Sequence, residues 1–439
     1  MKRYLRLFVT LFVAISLLVV SISCDDNNNN DDIVDNSLFD IKSPYDGINW
    51  DTYEQYKAAM HVHTTNSDGS RTLEEVVNEH YRLGYDIVGI TDHVWKRTDG
   101  VDQYLNLITH DWTRTEWPRL GGGNPVPLTF ISQEKLDQIQ AGTYPIPERI
   151  SASTSLPSVE SRNGRGMLMI PNSAELALSH GEDEMNVFFF GNDTAPTAWT
   201  QTLRNAIGIA NNAGAVSFLN HPGRYTRGMD HMGAADAATN PSNNPTFIRR
   251  YANLYMEYFD SGLVGMEVFN RRDLDSRQDR VLWDNVLTLT VPEGRMVWGY
   301  GNDDSHNHSG IYYNYNVFVM PENTLENFRN AMLDGHSYIV TVTAYNEGVL
   351  GTNTDIIPRP VINSVLVDKE AYTITINAEN ATRILWISEG RNLLTTQGDT
   401  GTLQLTHEDI IDRVGSYVRA NIIGDGGMAT IQPIGTTRK

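Results

Sequence analysis

Histidine and carboxylate side chains bind zinc, manganese or iron where thiolates are scarce, and this sequence spaces them in short pairs. His61-Val62-His63 sets two imidazoles two residues apart, and Asp304-Ser305-His306 repeats that spacing with a carboxylate first. On a strand, residues at i and i+2 point to the same side, so each pair can offer two donors to one place. His93 follows Thr91-Asp92, His221 lies in Asn220-His221-Pro222, and Glu175 adds another carboxylate. Singly, each motif is weak: a His-x-His is often a solvated pair, and His-Pro is usually a turn. Together they point to a multi-metal hydrolase site, in which a cation activates water and stabilises charge at the reacting centre.

The elements that must position these residues come next. From about residue 57, short apolar runs alternate with helical stretches, the pattern of βα units. Strands are expected at 57–63, 86–90, 166–170, 187–190, 215–219, 263–269, 296–299, 315–319 and 337–342. Helices are expected at 72–83, 200–212, 275–289 and 324–333. His61/His63, His93, Glu175, His221 and Asp304/His306 then fall at or just after strand ends, and in a parallel α/β barrel those ends share one mouth. Residues 94–165, rich in Gly, Pro, Ser and Thr, read as a long insertion beside that mouth. From Val361, alternating Val and Thr between Gly and Asn turns predict a small all-β domain over 361–439.

Composition narrows the partners. The formal net charge is −20, from 34 basic and 54 acidic side chains, which speaks against nucleic acid but leaves room for a small phosphorylated substrate beside bound cations. Lys2, Arg3 and Arg6 precede an apolar run over 7–20, too short to span a bilayer comfortably, so residues 1–23 read as a signal peptide. Cys24, the one cysteine, stands where a bacterial lipoprotein carries its lipid, although Ser21 replaces the usual leucine. The Asp- and Asn-rich stretch from 24 to about 50 reads as a flexible tether, and its acidic start resembles the export signal of surface lipoproteins in Bacteroidetes. The expectation is a chain anchored by lipid on Cys24 at the cell envelope, at the outer membrane and facing outward. With Cys24 acylated, any metal is left to His and carboxylate ligands.

His61-Val-His63-Thr-Thr-Asn-Ser-Asp68-Gly69, Thr91-Asp92-His93, Asn220-His221-Pro222 and Asp304-Ser-His306, in that order, resemble the PHP (polymerase and histidinol phosphatase) family over about residues 57–345. Ser416-Tyr-Val-Arg419 and Ile431-Gln-Pro433 resemble the end of its carbaryl-hydrolase-like branch. The resemblance implies a distorted (β/α)7 TIM-like barrel over 51–350, two or three divalent ions (Zn, Mn or Fe), and a phosphoesterase acting on a small phosphate ester. By the same resemblance His61, His63, Glu175 and Asp304 would hold one ion, Glu175 and His221 a second, and Asp68, His93 and His306 a third. Where relatives carry a further histidine for the second ion, Glu184 stands here. Either Glu184 or His180 completes that set, and register favours Glu184. Glu175, Asp304 and His306 are the expected catalytic groups, and Arg224, Arg271 and Arg272 the expected substrate-binding ones, each equally readable as a solvated arginine. Asp303 and His308 flank the Asp304 pair as supporting or exposed residues. Two other readings stay open: a metal-dependent hydrolase of a carbamate or carboxylic ester, and a binding lipoprotein with weak catalysis. No obligate protein partner is expected.

Overall fold

A computed structural model describes residues 38–98, 101–104, 112–117, 124–150, 156–177, 183–191, 202–226, 241–272, 276–344 and 358–439. The expected signal peptide, Cys24, most of the tether and His180 lie outside the described residues. Among those described, no helix is long and apolar enough to cross a membrane.

The fold is mixed α/β. Its central strands are apolar runs buried along their whole length: Val216–Asn220, Leu263–Asn270, Trp298–Asn302 and Asn314–Met320. Burial on both faces is what a strand gains between a shared interior and an outer cover. These strands form two arcs. One is a five-stranded sheet in the order Trp298–Asn302, Leu263–Asn270, Val216–Asn220, Glu184–Phe188, Ala174–Ala177. The other has Glu54–Ala59 between Ile87–Val88 and Leu168–Met169 on one side and Asn314–Met320 and Ser337–Thr341 on the other.

Among the described residues no continuous ladder closes the arcs into a barrel. Where Trp298–Asn302 passes Asn314–Met320, side-chain amides replace strand pairing. Asn316 Oδ1 accepts from Gly301 N and its Nδ2 donates to Gly301 O, both at 2.9 Å. Gln432 treats Gly299 the same way, accepting from its N–H and donating to its carbonyl, both at 2.8 Å. At the other gap an isolated bridge joins His93 to Glu175.

The expectation that every strand points its C-terminal end at the mouth is corrected here. Glu184–Phe188 runs antiparallel to both its neighbours, and so does Asn314–Met320. A reversed strand presents its first residue where the others present their last, so Glu184 lies opposite Asn220. Four strands also repeat one pattern of inward residues. An aromatic ring in the lower layer is followed, two residues nearer the mouth, by an asparagine: Phe188 and Asn186, Phe218 and Asn220, Tyr300 and Asn302, Phe318 and Asn316. The rings pack together, Phe218 stacked on Tyr300 at 4.6 Å between centroids. The amides form the floor of the site above.

Helices cover the outside. Leu73–Arg82 starts on a reciprocal cap, Thr72 accepting from Glu75 N and Glu75 bonding back to Thr72 N, and buries Leu73, Val76, Val77 and Tyr81. Leu203–Asn212, Ser276–Thr290 and Leu325–Asp334 stand close to their expected places. Pro245–Glu257 was not anticipated, although Asn244 before Pro245 is a sound start signal. The insertion over 94–165 contains a hairpin and the helix Gln133–Gln140, whose Leu136 and Ile139 join the main core. The C-terminal strand Gly427–Ile431 pairs with Ser337–Thr341, so the sheet that leads into His61 continues through Tyr417–Gly424 and Ile434–Arg438 to Phe39–Lys42. Val361–Asp368, Thr373–Glu379 and Thr400–Gln404 form a separate sheet of alternating burial.

Candidate metal centre

Strand Glu54–Ala59 runs into Met60, and the chain beyond it carries His61 and His63, both buried. The loop after Trp298–Asn302 is sewn to this segment, His63 N donating to Ser305 O and Ser305 N to His61 O, which brings Asp304 beside both rings. Glu175 arrives on Ala174–Ala177, its N–H held by Asp92 O. The result is a tight quartet. Glu175 Oε2 lies 3.2 Å from both His61 Nε2 and His63 Nε2, and Asp304 Oδ1 lies 3.4 and 3.3 Å from the same two atoms. Neither Nε2 makes a hydrogen bond, although both are buried. Donors about 2.0–2.1 Å from a tetrahedral zinc stand ~3.3–3.4 Å from each other, so these four separations match those of co-ligands. His61, His63 and Asp304 together bring donor atoms within reach of one ion, while Glu175 also reaches toward His93 and Glu184. The residues fit a cation.

A second group lies toward the surface. Asp68 Oδ2 is 3.2 Å from His306 Nε2 and 3.7 Å from His93 Nε2, and the His63 ring stacks on His306 at 4.1 Å. The turn carrying Asp68 is fixed from below by Asp92, which accepts from Thr64 N, Thr64 Oγ1 and Ser67 Oγ at 2.6–2.7 Å. Gly69 is required there, because a Cβ would lie 2.7 Å from the His63 carbonyl. Thr91-Asp92 is thus a loop fastener more than a reactive pair.

The third group centres on His221, which follows Val216–Asn220. His221 Nε2 lies 3.5 Å from Glu184 Oε2 and 4.0 Å from Glu175 Oε1. His93, Glu175 and Glu184 also bring donor atoms within reach of one ion. Glu184 turns toward the cluster because its strand is reversed and because Asp183, just before it, is buried against Arg250 and Tyr251. Arg224 sits in the turn Pro222–Thr226, close enough for its charge to act on His221.

The electrostatics are those of a cluster rich in carboxylates. Burial pulls His61 downward, but Glu175, Asp304 and Glu267 outweigh it and hold the imidazole well above its ordinary value. His63 is lifted to about 10, against the same burial, by Asp304 and Glu175. Burial would raise Asp68, yet His306, His63 and His93 hold it well below the usual carboxylate range. His221 goes the other way, lowered by burial and then by Arg224. Without a cation, protons on His61 and His63 balance the carboxylates, and metal binding displaces such protons.

The predicted arginines divide. Arg271 Nε lies 2.8 Å from Asp304 Oδ2, so its guanidinium holds a residue of the quartet. Arg272 lies over the Tyr313 ring at 5.0 Å and makes no ion pair among the described residues. Both line a cavity of about 450 Å³ that also touches Asp304, His306, Asn307 and Ser309. Asp303 accepts from the N–H groups of Tyr312, Tyr313 and Asn314 at 2.6–3.0 Å and so closes the following loop, while burial pushes its carboxyl up to about 7. His308 is buried, facing Glu79 and Glu75, and joins no donor group of the cluster.

Sequence reasoning missed Glu267, which is fully buried and bonds His61 Nδ1 at 2.8 Å. It also missed the amide floor: Asn220 Nδ2 donates to Glu175 Oε1 at 2.6 Å and to Asn186 Oδ1 at 2.9 Å, and Asn316 Nδ2 to Asn302 Oδ1 at 3.0 Å. The signal was present as an asparagine two residues from an aromatic on four strands. Three residues of the site, His221, Arg271 and Asp304, adopt φ of 30°, 48° and 46°, uncommon for residues with a side chain.

No family model and no curated protein matches the chain. Among solved structures it is similar to a two-domain protein from Bacteroides vulgatus containing a predicted PHP-like metal-dependent phosphoesterase. That pair shares 14% identity over 91% of this chain and 99% of the other, with a TM-score of 0.41. A lesion-specific endonuclease of Pyrococcus furiosus is similar at 13% identity over 64% of this chain and 56% of its own, with a TM-score of 0.33. Overlaps this shallow carry no weight for function, which has to come from the side chains.

Proposed function

We propose that the chain is a metal-dependent phosphoesterase of PHP type, its distorted α/β barrel holding two or three divalent ions and hydrolysing a small phosphate ester. The carrying observation is the quartet of His61, His63, Glu175 and Asp304, whose four nitrogen–oxygen distances of 3.2–3.4 Å are those of ligands sharing one ion. Asp68, His93 and His306 would hold a second ion, and Glu175, Glu184 and His221 another. When bound, such ions supply Lewis acidity, neutralising phosphoryl oxygens and making water acidic enough to attack near neutral pH.

The chain's own residues do the rest. Asp304 stands at the boundary, with Oδ1 toward the quartet and Oδ2 fixed by Arg271, so it ties the ion position to the cavity edge and stays ionised there. His306 lines the same cavity and orients Asp68. Arg272, stacked on Tyr313 and without a carboxylate partner among the described residues, is the group available to a substrate phosphate. Anchoring through Cys24 at the cell envelope belongs to the same reading; palmitate incorporation that is lost in Cys24→Ser would support it, and incorporation unchanged in that variant would end it.

The deciding experiment is elemental analysis of the purified full chain with a panel of p-nitrophenyl phosphate mono- and diesters and carboxylic esters. Two or three equivalents of metal and turnover of a phosphate ester are expected. A chain that takes up no metal, or cleaves only carboxylic esters, would overturn the proposal.

A further inference from the structure

We infer that Glu267 is the positioning residue that sets two cation positions at once, through His61 on one side and His221 on the other; this rests on the metal centre proposed above. Glu267 lies in Leu263–Asn270 and is fully buried. Its Oε1 accepts from His61 Nδ1 and from Asn302 Nδ2, both at 2.8 Å. Its Oε2 accepts from the His221 backbone N–H and from Asn270 Nδ2, both at 3.0 Å. Four donors fill the roughly four lone-pair sites of a carboxylate. Glu267 is therefore no ligand, although its oxygens lie near His61 and His221 donor atoms.

Each oxygen has a separate effect. With the Nδ1 proton of His61 directed at Oε1, the neutral ring presents its lone pair on Nε2, the atom that faces Glu175 and Asp304. The other oxygen holds the backbone of His221, whose φ of 30° is rare for a residue with a side chain. That bond keeps the bend that aims His221 Nε2 at Glu184 and Glu175. Asn302 and Asn270 keep the carboxylate from swinging, so one rigid group registers two ions against each other.

A merely structural Glu267 would change stability and leave cation affinity alone. The test loads the full-length wild type, E267Q and E184Q with zinc, equilibrates them in graded zinc buffers, and counts retained metal while melting each protein in EDTA. E184Q is expected to lose affinity at one position. E267Q is expected to melt lower than wild type in EDTA, because its amide N–H2 faces donors that the carboxylate accepted from, and also to bind zinc ~10- to 100-fold more weakly at two positions, the usual effect of removing a partner behind a ligand. E267Q that folds and retains zinc like wild type, or loses it at one position only, overturns the inference while leaving the metal centre intact. Wild type that retains no zinc overturns both. Should E267Q fail to fold, 15N-histidine spectra of the zinc-loaded wild type decide: His61 protonated on Nδ1 is expected, and protonation on Nε2 refutes it.

Discussion

The inner and outer halves of the cluster are built from the same residue types and differ in almost everything else. Inside, the His61, His63, Glu175 and Asp304 side chains are at most 3% exposed and their donors sit 3.2–3.4 Å apart. Outside, Asp68, His306 and Glu184 are 31%, 26% and 20% exposed, with separations from 3.2 to 4.0 Å. Burial makes charge expensive unless it is paired, so the inner group is fixed by its own electrostatics as well as by packing. Asp68, His306 and Glu184 reach solvent and can shift, while His93 and His221 stay buried with the inner group. The inner position should therefore hold its ion most tightly, with exchange and substrate entry confined to the rim.

The sharpest way to break this contrast is Asp304→Asn, which removes a donor facing both His61 and His63. Turnover of p-nitrophenyl phosphate is expected to fall on the order of 10³-fold. A drop of less than tenfold would mean that the inner position does not drive the reaction.

His80 tests whether burial alone or the carboxylates control the inner histidines. It is as buried as His61 but lacks carboxylates of comparable reach, and burial pushes it down to about 4. The unfolded chain protonates this histidine near its ordinary value of 6.5, so it binds more protons than the native state between pH 6.5 and 4. Stability from this group is complete above pH 6.5 and is lost as pH falls toward 4, by about 3 kcal/mol in all. Chemical denaturation of wild type and His80→Gln at pH 7 and 5 should show a shallower pH slope in the variant. Parallel slopes would refute the assignment.

At the rim, Glu184→Gln should cost one bound ion and ~10- to 100-fold in kcat/KM while the quartet stays loaded. Simultaneous loss of every ion would erase the distinction between the halves. The smallest effect belongs to the cavity. Arg272→Gln should raise KM about tenfold with kcat nearly unchanged, the signature of a phosphate contact made equally in ground and transition states. Arg271→Gln should instead lower kcat, because Arg271 acts on Asp304.

What was legible in the sequence follows the same divide. Ligand chemistry admits few residue types, so His61, His63, His93, Glu175, His221, Asp304 and His306 could be named from type and spacing. Most strands and helices fell within a few residues of their expected places, because hydrophobic period reports burial. Strand direction leaves no such mark. The run at Glu184–Phe188 reads alike either way, and only pairing shows that it is reversed. Asp304 was expected to share a strand face with His306, but it lies past the end of Trp298–Asn302 with φ of 46°. Glu267 was hidden in the apolar run Leu263–Asn270, where its burial depends on donors from three other segments, His61, His221 and Asn302. Asparagines went unremarked because they neither titrate nor attack.

That chemical silence gives the amide floor a further consequence. Asn186, Asn220, Asn302 and Asn316 keep the same charge and the same donors whether the cluster above holds protons or cations. They insulate the aromatic layer beneath from the large change in charge that accompanies loading. The aromatic layer therefore meets the same neutral amides before and after loading, while ions that bind the native state alone still add to its stability.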